Sequence, residues 1–202
     1  MELEFKELAE KDYKKVIQYA IKGMHFNFYV DNKTILNFYG RYFWYLELLN
    51  ATQVLALYYG EELAGVLIAE IYDEPKCHKS FSKSIYVKFV EFIQKYFFKD
   101  SVGIYDEVNQ KLLKEYQKNN KPNGEIRFLA ANPDLKVKGI GTKLLNELEK
   151  REKGKEIYLF TDDQCTYQFY ENRGFDKVGE EDIILKLEKE VPLKCLLYRK
   201  KL

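Results

Sequence analysis

A short loop of glycines and lysines is the part of this sequence best suited to bind a phosphate. It runs Lys136-Val137-Lys138-Gly139-Ile140-Gly141, between a predicted strand at 126–131 and a helix predicted to start near Gly141. Glycines let the backbone turn tightly and approach a ligand, and the first N–H groups of a helix have no partner inside it. Lys136, Lys138 and Lys143 add positive charge, so the loop predicts a pyrophosphate site.

Two common phosphate-binding motifs do not fit this loop. A dinucleotide-binding motif has a third glycine three positions after the second, and Leu144 stands there. A P-loop has the order Gly-Lys-Ser/Thr after an upstream glycine, whereas this chain has Gly141-Thr142-Lys143. The sequence therefore excludes both of these nucleotide-binding motifs at this position.

Two further stretches give the loop its context. A predicted strand at 157–161 is followed by an aromatic segment at 167–175, Tyr-Gln-Phe-Tyr-Glu-Asn-Arg-Gly-Phe, and residues 60–68 predict a hairpin. In this order, the loop and the aromatic segment resemble the acetyl-CoA loop and the Phe-Tyr-x-x-x-Gly-Phe signature of the GNAT N-acetyltransferases. Lys136 stands where that family prefers Gln or Arg, which keeps a donor but loses the planar guanidinium fork. The resemblance covers 125–179 closely and 3–71 loosely.

The resemblance implies that acetyl-CoA is the cosubstrate, and no metal ion is expected. The end of the strand before the loop would present backbone groups to the pantetheine amides, and small side chains suit that role. Asp163 occupies the position of an Asn in many members, and its carboxylate accepts but does not donate hydrogen bonds. The expected cofactor-binding residues are Leu129, Ala130, Ala131, Lys136, Val137, Lys138, Gly139, Ile140, Gly141, Thr142 and Asp163.

The same resemblance supplies a catalytic pair. Glu125 lies eleven positions before Lys136, where histone-type members of the family carry their general base. A lysine-like amine has a pKa of about 10.4, so a carboxylate whose pKa is raised by burial would help to deprotonate it. Tyr170 matches the tyrosine that hydrogen-bonds the coenzyme A sulfur and would protonate the leaving thiolate. Each residue also has a structural interpretation, Glu125 as an exposed strand residue and Tyr170 as core packing beside Phe169.

The acceptor side of the reaction is less well marked. Residues 25–29 fall where the family's first inter-helix loop borders the acceptor pocket, so Phe26, Phe28 and Tyr29 are predicted to shape it. The acceptor is expected to be a primary amine of a small molecule or peptide, which attacks directly in a ternary complex. The aromatic run at 38–45 fits the packing of a helix better than a stacked substrate.

Composition bounds the remaining possibilities. A net charge of +1 over 202 residues gives no reason to expect a nucleic acid or an anionic membrane as partner. No apolar run approaches the roughly 20 residues of a membrane span. Cys77, Cys165 and Cys195 are odd in number and widely spaced, which indicates a reducing compartment and no metal template. We therefore expect a single cytoplasmic domain over 1–202, as a monomer or homodimer.

The elements that must position these residues follow from periodicity and turn signals. Strands are predicted near the N-terminus and at 52–59, 63–72, 125–131, 157–161, 175–187 and 192–199, and helices at 10–22, 34–49 and from about 141. Between 73 and 123 two more helices are predicted. The apolar stripe of the first consists of Ile85, Phe89, Phe92, Ile93, Tyr96 and Phe97, and that of the second consists of Val108, Leu112, Leu113 and Tyr116. This order is typical of the GNAT α/β fold, a central mixed, mostly antiparallel sheet flanked by helices, here with a helical insertion between the third and fourth strands.

Two other functions fit the same residues. The chain would be a non-catalytic sensor if it binds acetyl-CoA and acts on a partner through the insertion, and Tyr170→Phe would then leave its output unchanged. It would be an interaction module on a relic of the scaffold if coenzyme A does not bind at all. Binding of acetyl-CoA and the effect of Tyr170 variants separate the three interpretations.

Overall fold

A computed structural model describes residues 2–24, 32–97, 103–186 and 190–202 of the chain. The strands are β1 (Leu3–Lys6), β2 (Gln53–Tyr59), β3 (Glu62–Ile71), β4 (Gly124–Ala131), β5 (Glu156–Asp162), β6 (Asp176–Lys186) and β7 (Glu190–Lys201). The α-helices are α1 (Tyr13–Gly23), α2 (Lys33–Asn50), α3 (Phe81–Phe97), α4 (Gly103–Gln117), α5 (Ile140–Arg151) and α6 (Gln168–Glu171), and a 3-10 turn at Glu10–Asp12 precedes α1.

The seven strands form one sheet in the order β1-β2-β3-β4-β5-β7-β6. β4 and β5 are parallel, and every other pairing in the described sheet is antiparallel. A tight turn at Gly60, whose φ is 62°, joins β2 to β3 as the predicted hairpin. The predicted mixed, mostly antiparallel sheet flanked by helices is confirmed.

Helices cover both faces of this sheet and define two sides of the molecule. On the first face, α1 and α2 share a core with β4 through residues such as Trp44, Leu48 and Phe128. On the second face, α5 packs Leu144 and Leu148 into a core with residues of β3, β4, β5 and β7. The sheet separates these two cores. Because successive side chains of a strand point to opposite faces, each strand contributes alternate residues to the two cores.

The start of α2 shows why the helix begins where it does. The side chain of Asn32 accepts hydrogen bonds from the N–H groups of Thr34 and Ile35 at 2.9 and 3.2 Å. Such a cap satisfies orphan donors of the first turn and contributes about 1 kcal/mol. The predicted start of this helix near Thr34 is confirmed, and it sets the register of the residues that reach β4.

The helical insertion consists of α3 and α4, and only one of its two predicted apolar stripes is buried. In α4, Val108, Leu112, Leu113 and Tyr116 are buried, as predicted, against β6 and β7. The other predicted helix is also present as α3, but Ile85, Phe89 and Phe92 of its stripe are 52%, 55% and 58% exposed, while Val87 and Val90 are buried. The helix has apolar side chains on two faces, and periodicity alone does not say which of them packs on α2. None of the helices in the described ranges is long and apolar enough to cross a bilayer.

Candidate active site

β4 and β5 pair only at their beginnings and then separate. Glu125 beside Tyr158 is the last pair that joins them in the described sheet. Beyond this point β4 stays paired with β3 as far as Ala131, and β5 stays paired with β7 as far as Asp162. The two facing edges therefore carry backbone N–H and C=O groups that no neighbouring strand satisfies, and a ligand with amide groups could pair with them.

The glycine-lysine loop joins the open end of β4 to the start of α5. Gly139 precedes the helix and has a φ of 80°, a left-handed conformation that glycine adopts without steric cost. The Lys143 N–H donates to the Gly139 carbonyl at 2.9 Å, so the amides of 140–142 precede the first helical hydrogen bond and are suited to an anion. Lys136 and Lys138 are exposed, whereas Val137 packs against the core beneath the loop.

α5 begins close to the sheet because Gly65 in β3 has no side chain. A β-carbon on Gly65 would lie 2.6 Å from Cγ2 of Ile140 and 2.9 Å from the carbonyl oxygen of Ala130. Ile140 is buried and so fixes the first turn of α5 against β3. Gly65 was not among the predicted site residues, although a glycine inside a strand is a known sign of close backbone approach.

The first turn of α5 also contacts the aromatic segment. The ring of Phe169 packs on Gly141, where an added β-carbon would lie 2.8 Å from Cζ. The guanidinium carbon of Arg173 lies 3.7 Å from the centroid of the Phe169 ring. Its Nη1 donates to the Phe169 carbonyl at 2.8 Å, and its Nε donates to the Thr142 hydroxyl at 3.0 Å.

Arg173 therefore places a permanent positive charge beside the amides that open α5. Charge-assisted hydrogen bonds from a guanidinium to a phosphate are about twice as strong as neutral ones, so Arg173 is suited to bind an anion at the start of α5. Arg173 was not among the predicted site residues, because it fills one of the unspecified positions of the Phe-Tyr-x-x-x-Gly-Phe signature. The available signal was a basic residue three positions after the Phe-Tyr pair of the signature, which could have indicated a contact with a phosphate.

Tyr170 lies on the α5 side of the sheet, and its ring packs among other aromatic rings. The centroids of Phe169, Phe175 and Tyr198 lie 5.2, 5.5 and 6.5 Å from its own. Burial raises the pKa of the Tyr170 hydroxyl, so the phenol stays protonated at neutral pH. No residue in the described ranges hydrogen-bonds this hydroxyl, which leaves its proton available to a ligand.

Glu125 lies on the α2 side of the sheet, in a cluster of charged side chains around Arg127. The Arg127 Nε donates to Glu47 at 2.5 Å, and its Nη1 donates to Glu70 at 3.0 Å and to Glu125 at 3.2 Å. Lys76 pairs with Glu70 at the edge of the cluster. Three carboxylates thus share one guanidinium. Two of them, Glu47 on α2 and Glu70 on β3, lie on elements that carry no predicted site residue.

β4 carries a β-bulge at Arg127. Ile68 of β3 pairs with Phe128, but the next residue, Ala69, pairs with Ile126, which leaves Arg127 as the extra residue. A bulge re-aims the side chain at its position and bends the strand. Arg127 lies on the same face as Glu125, two residues earlier, as the alternation of a strand requires. The break in alternation falls after it, since Ile126 lies in the core on the α5 side and Phe128 in the core on the α2 side.

Burial dominates the electrostatics of the cluster. It raises the pKa of Glu47 to about 7, against the lowering effect of Arg127. Burial likewise raises the pKa of Glu125, while Arg127 and a hydrogen bond from Tyr158 act in the opposite direction. The shared guanidinium does not offset the desolvation of Glu47 and Glu125. With 15% of its side chain exposed, Glu125 does not fit the exposed-strand interpretation, and a raised pKa suits a general base.

The remaining predicted residues lie around the gap, with two exceptions. Leu129 is partly buried on the α5 side, Ala130 is buried on the α2 side, and Ala131 is exposed at the strand end. Asp163 instead faces β7, where its Oδ1 accepts the Lys194 N–H at 3.1 Å. The residues predicted to shape the acceptor pocket are Phe26, Phe28 and Tyr29. They lie outside the part of the chain that the structure describes.

Comparison with known proteins assigns the same region to a family. Residues 101–175, which contain β4, the loop, α5, β5 and the aromatic segment, match the model of the acetyltransferase (GNAT) family. No curated protein sequence gives a significant match. The family match therefore falls on the part of the chain that contains both gap strands, the loop and Tyr170.

Solved structures share the fold over nearly their whole lengths. PaiA N-acetyltransferase from Thermoplasma acidophilum, in complex with coenzyme A, is 16% identical with a TM-score of 0.53, and 100% of each chain is covered. Ribosomal-protein-alanine N-acetyltransferase from Brucella melitensis is 13% identical with a TM-score of 0.54, again over 100% of each chain. YncA from Salmonella typhimurium, with acetyl-CoA, is 13% identical with a TM-score of 0.53, over 98% of this chain and 93% of that one.

At these sequence identities the similarity to solved structures establishes the fold alone. The family model adds a match to the residues that carry the loop and the aromatic signature. Both agree with the loop, the aromatic signature and the seven-stranded sheet. Residues 101–175 of the chain thus match the acetyltransferase (GNAT) family, and the whole chain shares the fold of the solved acetyltransferases.

Proposed function

We propose that the protein transfers an acetyl group from acetyl-CoA directly to a primary amine while both substrates are bound. The placement of Glu125 at the point where β4 and β5 separate, and of Tyr170 on the opposite face of the sheet beside Phe169, supports this most strongly. A base and an acid then approach the gap from two sides. Two reactants held between them would need no covalent enzyme intermediate.

The coenzyme would lie on the α5 side of the gap. The amides of 140–142, the loop from Lys136 to Gly139 and the guanidinium of Arg173 are suited to its pyrophosphate. The free edge of β4 from Leu129 to Ala131 is suited to the pantetheine amides. Two solved structures of the same fold contain coenzyme A and acetyl-CoA, which supports this choice of cosubstrate.

The chemistry requires that two protons leave the nitrogen of an ammonium acceptor. Glu125 takes the first, which frees the lone pair to attack the thioester carbonyl carbon. A C–N bond forms, the C–S bond breaks, and the Tyr170 hydroxyl gives its proton to the departing thiolate. The second nitrogen proton restores Tyr170, so that one proton ends on the coenzyme sulfur and one passes from Glu125 to solvent.

The acceptor is proposed to be a primary amine of a small molecule or a peptide. Structural relatives are named for acceptors of both kinds, one for agmatine and one for alanine of ribosomal proteins. The carboxyl cluster beside the gap favours a cationic amine over an anionic one. We further propose one catalytic domain over 1–202, active in the cytoplasm as a monomer or homodimer, where free cysteines are stable.

Release of free thiol from acetyl-CoA tests the proposal. The acceptor panel consists of agmatine, a peptide that begins with alanine, and a peptide with an internal lysine. With the best acceptor, Glu125→Gln is expected to lower kcat/KM on the order of 100-fold at neutral pH. The loss should shrink as the pH approaches about 10.4, since the amine then needs no base.

Glu115→Gln is the matched control, because Glu115 is an exposed residue paired with Lys118. It should keep native kinetics. Binding of acetyl-CoA without turnover of any acceptor would favour the sensor interpretation over the enzyme. Native kinetics in Glu125→Gln would remove Glu125 from the mechanism and leave deprotonation to water or another group.

A further inference from the structure

A chain of two tyrosine hydroxyls leads away from Glu125. Tyr158, beside Glu125 in the sheet, donates a hydrogen bond from its hydroxyl to Glu125 Oε2 at 3.2 Å. The same hydroxyl lies 2.6 Å from the hydroxyl of Tyr72, and either atom can be the donor. Tyr158 is 3% exposed and Tyr72 is 45% exposed, so the chain runs from a buried carboxyl to the surface.

We propose that Tyr158 and Tyr72 form a proton relay that carries the proton of the acceptor amine from Glu125 to solvent. The inference rests on the proposed role of Glu125 as base. It deepens that role, since a buried base must lose its proton before the next turnover.

The hydrogen-bond partners of Glu125 leave one exit for this proton. Arg127 has only donors and remains charged, so it cannot accept a proton from the carboxyl group. Tyr158 has a hydroxyl that donates and accepts. Of the two partners found among the described residues, only Tyr158 can therefore pass a proton on.

The relay works by a reversal of the hydrogen bonds along the chain. While Glu125 is ionised, the Tyr158 hydroxyl donates to it, and the Tyr72 hydroxyl is free to donate to Tyr158. When Glu125 becomes protonated, it gives its proton to the Tyr158 oxygen, Tyr158 gives its own to Tyr72, and Tyr72 gives its own to water. Each O–H bond that breaks is matched by one that forms, so the step needs no further reactant.

Burial raises the pKa of Glu125, and the charged groups around it act in both directions. Arg127 on β4 and Lys76 near β3 favour its ionised form, while Glu70 on β3 and Glu47 on α2 oppose it. Burial raises the pKa of both tyrosines, which keeps each phenol neutral and able to accept and donate in one concerted event. No anionic tyrosine is needed.

The test compares Tyr72→Phe and Tyr158→Phe with the native enzyme, using the best acceptor of the panel described above. Tyr72→Phe keeps the Tyr158–Glu125 hydrogen bond and removes only the exit. It is expected to lower kcat on the order of tenfold, to increase the solvent deuterium isotope effect, and to leave KM for acetyl-CoA unchanged. Added imidazole should restore kcat in Tyr72→Phe, because a mobile base can take the proton instead.

Tyr86→Phe is the matched control, since its hydroxyl also makes one hydrogen bond near the surface, to the Phe38 carbonyl, away from Glu125. It should change neither kcat nor the isotope effect. A kcat and isotope effect in Tyr72→Phe equal to the native values would overturn the relay. So would a loss of kcat that imidazole does not restore, since that pattern indicates a structural role.

The relay and the proposed base fail in different ways. If Glu125→Gln keeps native kinetics, the base is wrong and the relay has no source of protons. If Glu125→Gln is impaired while Tyr72→Phe behaves as the native enzyme, the base stands and the relay is rejected. Urea unfolding of each variant establishes that the compared proteins are folded.

Discussion

The ring of Phe169 lies against Gly141, with Cζ 2.8 Å from the point where a β-carbon would stand. Gly141 is therefore glycine for a packing reason as well as for access to a phosphate. Gly139, two positions earlier, has open space around it and needs glycine for its φ of 80°. The two glycines of the loop thus serve different physical requirements.

Gly141→Ala is expected to push the Phe169 ring aside and to lower the free energy of unfolding by about 1–3 kcal/mol. Affinity for acetyl-CoA should fall as well, because the first turn of α5 moves with the ring. Urea unfolding and calorimetry measure the two effects. Gly23→Ala is the control, since an added β-carbon there meets nothing within 4 Å. The double variant Gly141→Ala/Phe169→Leu should recover part of the stability, and purely additive effects would contradict the contact.

Arg127→Gln is expected to destabilise the fold by about 3–5 kcal/mol at neutral pH, because it leaves buried carboxylates without their shared cation. Removal of the guanidinium raises the pKa values of Glu47 and Glu125 further. The loss should therefore be larger at pH 8 than at pH 6, where more of the carboxyl groups are protonated. Lys6→Gln, at an exposed ion pair, should change stability by less than about 0.5 kcal/mol. A pH-independent loss in Arg127→Gln would contradict the electrostatic explanation.

Glu47 should give the stability of the protein a recognisable pH dependence. Its folded-state pKa is raised to about 7 by burial, above the value of a glutamate in an unfolded chain. Between these values the folded state holds a proton that the unfolded state has lost, so the free energy of unfolding falls as the pH rises towards about 7. Glu47→Gln should reduce this slope, which urea unfolding at a series of pH values measures. An unchanged slope would show that Glu47 is ionised throughout.

Tyr170→Phe is expected to lower kcat by about 10- to 100-fold and to leave the affinity for acetyl-CoA within twofold of native. The ring contacts with Phe175 and Tyr198 persist without the hydroxyl, so stability should hardly change. Tyr167→Phe, in the same turn, is the control and should keep native turnover. Equal kinetics for the two variants would contradict the role of Tyr170 as acid.

Local backbone requirements explain why part of the site was predictable from the sequence. Gly139 and Gly141 predict a turn and a helix start within six residues. The Phe169–Phe175 signature predicts the aromatic packing beside them. The order of strands and helices follows from periods of 2 and 3.6 residues in the same way. The resemblance to a family then supplied the positions of Glu125 and Tyr170.

Relationships between distant residues could not be predicted. Arg127 contacts Glu47 and Glu70 across 80 and 57 residues, and no local pattern in the sequence connects these positions. Gly65 and Ile140 meet only because β3 lies beneath α5. The two apolar faces of α3 show the same limit, since periodicity found a stripe and tertiary packing chose the other face.

Calorimetric titration with acetyl-CoA tests the central claim most directly when two glycine variants are compared. Gly139 and Gly154 lie at opposite ends of α5 with φ values of 80° and 87°, and both have open space around them. Aspartate tolerates such conformations better than most residues, so Gly139→Asp and Gly154→Asp carry similar strain and the same added charge. We predict micromolar binding to the native protein, binding weaker by at least about tenfold in Gly139→Asp, and native affinity in Gly154→Asp. No binding to the native protein, or equal affinity in the two variants, would contradict the assignment of the coenzyme to this loop.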